Sequence, residues 1–163
     1  MRFAGTSTIH DFTGSATVSA GSFCLAAGAV GGAIVVDAVP PSEGYDCVFW
    51  PAHEEYENVT FFAAEPNAAE HLQWALVDRR VEELALFSDG LQRLALDYAG
   101  QRPHAPFFRS MLSPLLAGGA GGADGDGLSR SLAAFLDSPR VNDRTDDDKT
   151  LMLAIRAPGL SDS

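Results

Sequence analysis

Basic residues are scarce in this sequence. The 163 residues include 11 Lys and Arg against 22 Asp and Glu, so the formal net charge is −11 at pH 7. Nucleic-acid phosphates and anionic membrane surfaces attract clustered positive charge, which this composition does not supply. We therefore expect no nucleic-acid partner and no membrane partner. An acidic chain favours cations or basic partners instead.

Cysteine is rare too, and long apolar runs are missing. Cys24 and Cys47 form no Cys-x-x-Cys pair, so we expect buried reduced thiols rather than a disulfide or a zinc site. The apolar stretch from Phe23 to Val39 is broken by glycines and falls short of the roughly 20 continuous residues that a membrane span needs. No basic segment precedes an apolar one at the N-terminus, as it would in a secretory signal. These absences predict a cytoplasmic protein.

The first half of the chain has the pattern of an antiparallel sheet. Short runs rich in β-branched and aromatic residues alternate with turn residues, which is typical of strands. Five runs are predicted to be strands, and a longer one is predicted to be two strands joined through residues 78–80: SATVSA, FCLAAGA, AIVVDAV, CVFW, TFFAA and QWALVDRRVEELALF. An apolar share of 46% is enough for the core of one domain covering residues 1–163.

The second half of the chain is predicted to be mainly helical. From Leu91 to Tyr98 the apolar residues follow the spacing of a helix that ends at Gly100, and a further stretch, HAPFFRSMLSPLLA, is expected to form two short helices separated at Pro114. Residues 118–127, GGAGGADGDG, have the composition of a flexible loop. A third helix is predicted from Leu128 to Asp137, with Asp126 as a possible N-cap. The final run, KTLMLAIR, is predicted to be a central strand, so the fold class is α+β.

Two groups of acidic residues stand at the ends of buried strands. Asp89 follows one predicted strand and precedes a helix, and the run of Asp146, Asp147 and Asp148 precedes the last strand. If these strands are antiparallel neighbours, the acids project from the same edge of the sheet. Hard cations such as Mg²⁺ and Mn²⁺ prefer such oxygen ligands and keep several waters. The same residues also fit a structural interpretation, in which Asp89 caps its helix and the aspartate run is a solvated turn.

Two longer segments carry a resemblance to a known family. ALFSDGLQRLALD and RVNDRTDDDKTLMLAIR resemble the two C-terminal signature segments of the metal-dependent serine/threonine phosphatases, the PPM or type 2C family, in its bacterial branch. The segments WPAHEEYENVTFF, HAPFF and LAAFLDSPRVN resemble stretches between these motifs. The similarity covers most of residues 20–156 in the expected order.

The resemblance implies both a fold and a chemistry. The fold would be a layered α-β-β-α sandwich of antiparallel sheets flanked by helices. Asp89 and Asp147 would bind Mn²⁺ or Mg²⁺, with Asp146, Asp148, Gly90 and Thr150 as accessory residues. The metal would activate a water that hydrolyses phosphoserine or phosphothreonine on a protein substrate.

The sequence departs from the family pattern in two places. No segment before Ala16 resembles the family's N-terminal acidic ligand, its Asp-Gly-rich motif or its phosphate-binding arginine, which implies an N-terminally truncated domain. Gly31 stands where the family has the acid of a Gly-Asp-Gly-Ala strand. We expect residues 1–20 to provide a substitute strand, or a homo-oligomer or partner protein to cover the exposed sheet edges.

Two functional hypotheses follow from this reading. The first is a phosphatase that uses Asp89 and Asp147 as metal ligands. The second is a catalytically inactive remnant that acts as a binding or regulatory module, or as a fragment of a longer phosphatase. Arg79 and Arg80 are expected in a solvent-facing turn rather than at a phosphate.

Overall fold

A computed structural model describes most of the chain. It covers residues 2–6, 14–19, 22–27, 32–38, 44–51, 73–77, 79–117 and 125–156; the first three ranges and residues 73–74 are described by their backbone alone. The strands are β1 Arg2–Thr6, β2 Gly14–Ser19, β3 Ser22–Ala27, β4 Ala33–Asp37, β5 Tyr45–Phe49, β6 Gln73–Val77, β7 Glu83–Phe87, β8 Leu96–Asp97, β9 Arg102–Pro103 and β10 Leu151–Ile155. The helices are α1 Gln92–Ala95, α2 Ala105–Ala117, α3 Gly125–Leu136 and α4 Pro139–Asn142, and a 3₁₀ turn spans Asp89–Leu91. The predicted strand TFFAA lies outside these residues.

The largest sheet, here called sheet A, has five strands in the order β1-β10-β7-β4-β5. Each neighbouring pair is antiparallel. A second sheet, sheet B, has the order β2-β3-β6, and β8 pairs with β9 in a short hairpin. The first strand pairs with the last from Arg2↔Ile155 to Thr6↔Leu151, so the N-terminal segment supplies an outer strand, which is one of the alternatives that the sequence leaves open.

The central strands of sheet A bury side chains on both faces, because their sequences are apolar at nearly every position and successive side chains alternate between faces. One face packs on the helices, where the Phe87 and Phe108 rings lie 5.8 Å apart and are fully buried. Burial of each ring contributes roughly 2–3 kcal/mol. The other face buries Ile34 and Leu86, and Val77 of sheet B packs against this second cluster.

These contacts stack helices, sheet A and sheet B in that order. The α+β fold class with antiparallel sheets is therefore confirmed. The outer helical layer on sheet B that a four-layer sandwich requires is not among the residues that the structure describes. No helix in the described ranges is both long and apolar enough to cross a bilayer.

The helix that is predicted to begin at Leu91 and to end at Gly100 is shorter than its apolar spacing indicates. α1 ends at Ala95, and β8 then pairs with β9. The Asp97 carboxylate accepts hydrogen bonds from the Gly100 amide at 3.0 Å and from Arg102 Nε at 3.2 Å. These contacts stabilise a tight turn that competes with continued helix, so the prediction is wrong over its last residues.

Pro114 does not divide α2, so the prediction of two helices is also wrong. Proline removes one N–H and leaves the carbonyl of Ser110 without its usual helical partner. Both residues are exposed, so water can satisfy that carbonyl. On the opposite face Phe108 and Leu112 are buried in the core, which holds the helix in one piece.

α3 begins at Gly125, inside the segment 118–127 that was predicted to be a loop. Asp126 therefore lies in the first turn and is not the N-cap, although its negative charge still favours the N-terminus of the helix. Residues 118–124 lie outside the described part of the chain.

Cys47 is a free, half-buried thiol, as the sequence predicts. Its Sγ donates a hydrogen bond to the Phe49 carbonyl at 2.7 Å. Burial raises the pKa of the Cys47 thiol to about 12, because the thiolate would lose hydration inside the protein. The side chain of Cys24 lies outside the described residues.

Candidate functional site

The structure brings the two acidic segments to one edge of sheet A. β7 and β10 are antiparallel neighbours, and Phe87↔Leu151 is the last pair of their ladder at this end. The chain therefore leaves β7 towards Asp89 at the place where it enters β10 from Asp147. We call this place the aspartate edge, defined by residues 88–90 and 147–150.

Gly90 allows the two segments to approach closely. A Cβ atom at this position would lie 2.3 Å from the Asp148 carbonyl oxygen and 3.4 Å from Asp147 Cβ. A separation of 2.3 Å is far inside van der Waals contact, so only glycine fits without movement of the backbone. The predicted accessory residue Gly90 thus contacts the aspartate run directly.

The Asp89 carboxylate lies in an unfavourable electrostatic environment. The residue keeps contact with solvent, but the backbone packed around it removes part of its hydration, and this burial raises the pKa of Asp89. The negative charges of Asp147 and Asp148 raise the pKa further. The Gly90 amide, 2.8 Å from Oδ1, opposes these effects by donating a hydrogen bond.

The Asp147 carboxylate is exposed and stabilises its own loop. Its Oδ1 accepts a hydrogen bond from the Asp148 amide at 2.8 Å, and its own amide donates to Thr145 Oγ1 at 3.3 Å. Lys149 Nζ contacts the Asp147 backbone carbonyl at 3.5 Å rather than the carboxylate. The loop therefore presents an acidic side chain held by local hydrogen bonds.

No salt bridge neutralises either carboxylate within the described ranges. The ion pairs found there join Arg79, Arg80 and Arg102 to other acids. The Gly90 amide is a partial charge only, so the pair of acids at the aspartate edge has net negative charge to offer a cation. This environment suits a small divalent ion.

The other predicted accessory residues contribute through their backbone or lie in solvent. Asp146 and Asp148 are exposed, and Asp148 supplies its carbonyl oxygen to Ser88. Thr150 is buried, with 9% of its surface exposed, and its amide and carbonyl both bond to Ser88. Sequence reasoning did not single out Ser88. Its position directly before Asp89 at a strand end was the signal available.

The donor set at the aspartate edge fits part of a metal site. Among the described residues, no three or more His, Cys, Asp or Glu side chains form a group that could hold a metal ion. Mg²⁺ and Mn²⁺ retain water and need few protein carboxylates, so the two aspartates fit as two of their oxygen ligands. Gly31 lies outside the described residues. The next residue, Gly32, precedes β4 at the aspartate edge, because Ala33 pairs with Phe87.

The two turn arginines lie at the opposite end of sheet A. Arg79 pairs with Asp37 at 3.3 Å, and Arg80 pairs with Glu82. Asp37 ends β4, whereas the first residue of β4 pairs with the strand end before Asp89. A five-residue strand spans about 13 Å, so these guanidinium groups are not neighbours of the aspartate edge.

Comparisons with known proteins agree with the resemblance seen in the sequence. Residues 7–137 match the Protein phosphatase 2C family, and this match ends before Asp147. The chain is 40% identical over 126 residues to Serine/threonine-protein phosphatase 3 of Escherichia coli strain K12, with 77% of this chain and 48% of that protein covered. No solved structure matches. The chain spans about half the length of this relative, and it belongs to the protein phosphatase 2C family.

Proposed function

We propose that this chain takes part in hydrolysing phosphoserine and phosphothreonine on protein substrates, with a water activated by Mn²⁺ or Mg²⁺. Asp89 and Asp147 are the proposed metal ligands, and Asp146 and Asp148 are accessory acids. The observation that carries the proposal is the convergence of two carboxylates at the aspartate edge without a basic partner among the described residues. Family membership supports the reaction class.

The residues at this edge have separate roles in the proposal. Asp89 and Asp147 offer oxygen atoms, and their mutual repulsion favours a cation that neutralises both. Gly90 keeps the two segments close enough for Asp89 and Asp147 to bind the same cation. When bound, divalent cations supply Lewis acidity and lower the pKa of a coordinated water, so the chain needs no side-chain nucleophile.

The proposal extends to the setting of the reaction. A phosphorylated protein is the proposed substrate, in keeping with the name of the relative, Serine/threonine-protein phosphatase 3. We propose a cytoplasmic location, which the free Cys47 thiol supports because such compartments keep thiols reduced. A homo-oligomer or partner protein covering a sheet edge stays a prediction, and sedimentation of the purified chain tests it through the measured mass.

Metal-dependent turnover tests the proposal. The purified chain is assayed with p-nitrophenyl phosphate and with a phosphothreonine peptide, with and without Mn²⁺, beside Asp89→Asn and Asp147→Asn. Each substitution removes a charged ligand and is expected to lower turnover at least about 100-fold. Asp137→Asn is the matched control, because Asp137 is an exposed aspartate that directly follows α3 and is not part of the aspartate edge as defined above.

The possible results separate the two hypotheses. Manganese-dependent turnover that both ligand variants lose, and the control keeps, supports catalysis. If the folded chain binds Mn²⁺ but hydrolyses neither substrate, it acts as an inactive binding module. Equal turnover in all variants would contradict the assignment of Asp89 and Asp147.

A further inference from the structure

We propose that Ser88 is a positioning residue that holds the aspartate run against Asp89. The inference rests on the proposed metal site and concerns how this chain keeps its two ligands together. Ser88 contacts neither carboxylate. It acts through the backbone of residues 148–150, which it binds by three hydrogen bonds.

The need for such a residue arises where the β7–β10 ladder ends. Beyond the last pair, Phe87↔Leu151, the Ser88 amide still donates to the Thr150 carbonyl at 3.1 Å, as in a continued antiparallel ladder. The return bond would run from the Thr150 amide to the Ser88 carbonyl. That carbonyl instead faces the 3₁₀ turn that begins at Asp89, where it accepts the Leu91 amide at 3.1 Å.

The Ser88 hydroxyl takes the place of the diverted carbonyl. Its Oγ accepts the Thr150 amide at 2.9 Å, and its hydroxyl hydrogen is donated to the Asp148 carbonyl at 3.1 Å. One side chain thus supplies the missing acceptor and adds a donor. A residue without a hydroxyl would leave the amide of the buried Thr150 unpaired.

The direction of the Ser88 side chain separates this role from ordinary helix capping. Ser88 occupies the N-cap position of the 3₁₀ turn, with extended backbone angles, yet its side chain makes no capping hydrogen bond. The hydroxyl instead bonds to Asp148 and Thr150, in the segment that precedes β10. A serine kept for capping would bond to an amide of its own turn.

Ser88 and Gly90 therefore fix the same segment from both sides of Asp89. Ser88 holds Asp148 and Thr150 by hydrogen bonds, and Gly90 leaves room for the Asp148 carbonyl. Asp147 lies next to these anchored residues in sequence. Loss of the hydroxyl would let the aspartate run move away from Asp89 and would spread the two proposed ligands apart.

Manganese affinity is the direct test of this role. Binding of Mn²⁺ alone to the folded chain is followed by the loss of the free-ion electron paramagnetic resonance signal, with folding checked by circular dichroism. Ser88→Ala is expected to weaken binding about 10-fold. Ser88→Thr keeps the hydroxyl and is expected to stay within about 3-fold of wild type, while Ser88→Val has the same shape without the hydroxyl and should behave like Ser88→Ala.

Two further variants make the outcome decisive. Ser131→Ala is the control, because it removes a hydroxyl that also donates to a backbone carbonyl, that of Gly127 at 2.9 Å, within α3. Asp89→Asn tests the underlying metal site. If Asp89→Asn does not weaken Mn²⁺ binding, the proposed function fails and this inference with it.

If Asp89→Asn weakens binding but Ser88→Val matches Ser88→Thr, the positioning role is overturned and the metal site stands. Weak binding in both Ser88→Ala and Ser88→Val, with Ser88→Thr and Ser131→Ala close to wild type, supports the inference. Should Ser88→Ala fold poorly, the Thr and Val pair decides the question alone.

Discussion

Replacement of Gly90 by alanine tests the close approach at the aspartate edge. The added Cβ would lie 2.3 Å from the Asp148 carbonyl oxygen and 3.1 Å from its carbonyl carbon. Carbon and oxygen atoms rarely approach closer than about 3.3 Å, so one segment must move by about 1 Å. Both atoms belong to backbone, which a side-chain rotation cannot relieve.

The expected cost follows from two opposing terms. Overpacking a close contact costs about 1–3 kcal/mol. Replacing glycine also restricts the unfolded chain, which stabilises the folded state by about 0.4–1 kcal/mol. The central values of the two effects leave a net loss of about 1.3 kcal/mol, which corresponds to a melting temperature lowered by about 3–5 °C for a chain of this size.

Gly100→Ala is the comparison that isolates the backbone clash. Its Cβ would also be crowded, at 2.6 Å from Asp97 Oδ2 and 2.9 Å from Arg102 Nε, but these atoms end flexible side chains. We expect a smaller shift for this variant, measured by differential scanning calorimetry. Equal melting temperatures for the two variants, or an unchanged one for Gly90→Ala, would refute the reasoning.

Two further predictions concern groups away from the aspartate edge. Asp37→Ala should lower the free energy of unfolding by about 2–3 kcal/mol in urea titrations, because its carboxylate accepts the Glu82 and Glu83 amides at 2.9 and 3.1 Å and pairs with Arg79. Glu82→Ala, which removes an exposed pair with Arg80, should change it by less than about 0.5 kcal/mol, and equal effects would contradict the assignment. Cys47 should resist iodoacetamide at pH 8.5 in the folded chain and react in urea, as followed by peptide mass spectrometry. Folding raises the pKa of the Cys47 thiol from 9.0 to about 12, so folding favours the protonated thiol. The resulting contribution to stability is present below pH 9 and is lost between pH 9 and 12. Equal labelling rates in the folded and unfolded states would contradict the raised pKa.

The strands of sheet A could be predicted because their residues are apolar on both faces. The runs around Val35, Ala85 and Leu153 stand out as nearly continuous apolar segments bounded by turn residues. If β7 and β10 are antiparallel neighbours, Asp89 and Asp147 at their ends must lie at the same edge of the sheet. This is how the approach of Asp89 and Asp147 was predictable, whereas their binding of a metal stays a proposal.

Features set by contacts between distant segments were not predictable from spacing. The buried Leu96 belongs to the β8–β9 hairpin and not to α1, because Asp97 stabilises the tight turn that follows. The Ser88 hydroxyl bonds to residues about sixty positions away, and no local pattern reveals that its carbonyl is used elsewhere. The periodicity of apolar residues describes one segment at a time, whereas the end of α1 and the hydrogen bonds of Ser88 depend on contacts between two segments.

The pairing of β1 with β10 has a consequence for biosynthesis. Its partners lie near opposite ends of this chain, from Arg2↔Ile155 to Thr6↔Leu151. Residue 155 must leave the ribosome before residue 2 can pair with it. β1 can therefore join sheet A only after nearly all of this segment has been translated. Such distant partners also carry a loop-closure cost, so we expect this pairing to form late in folding.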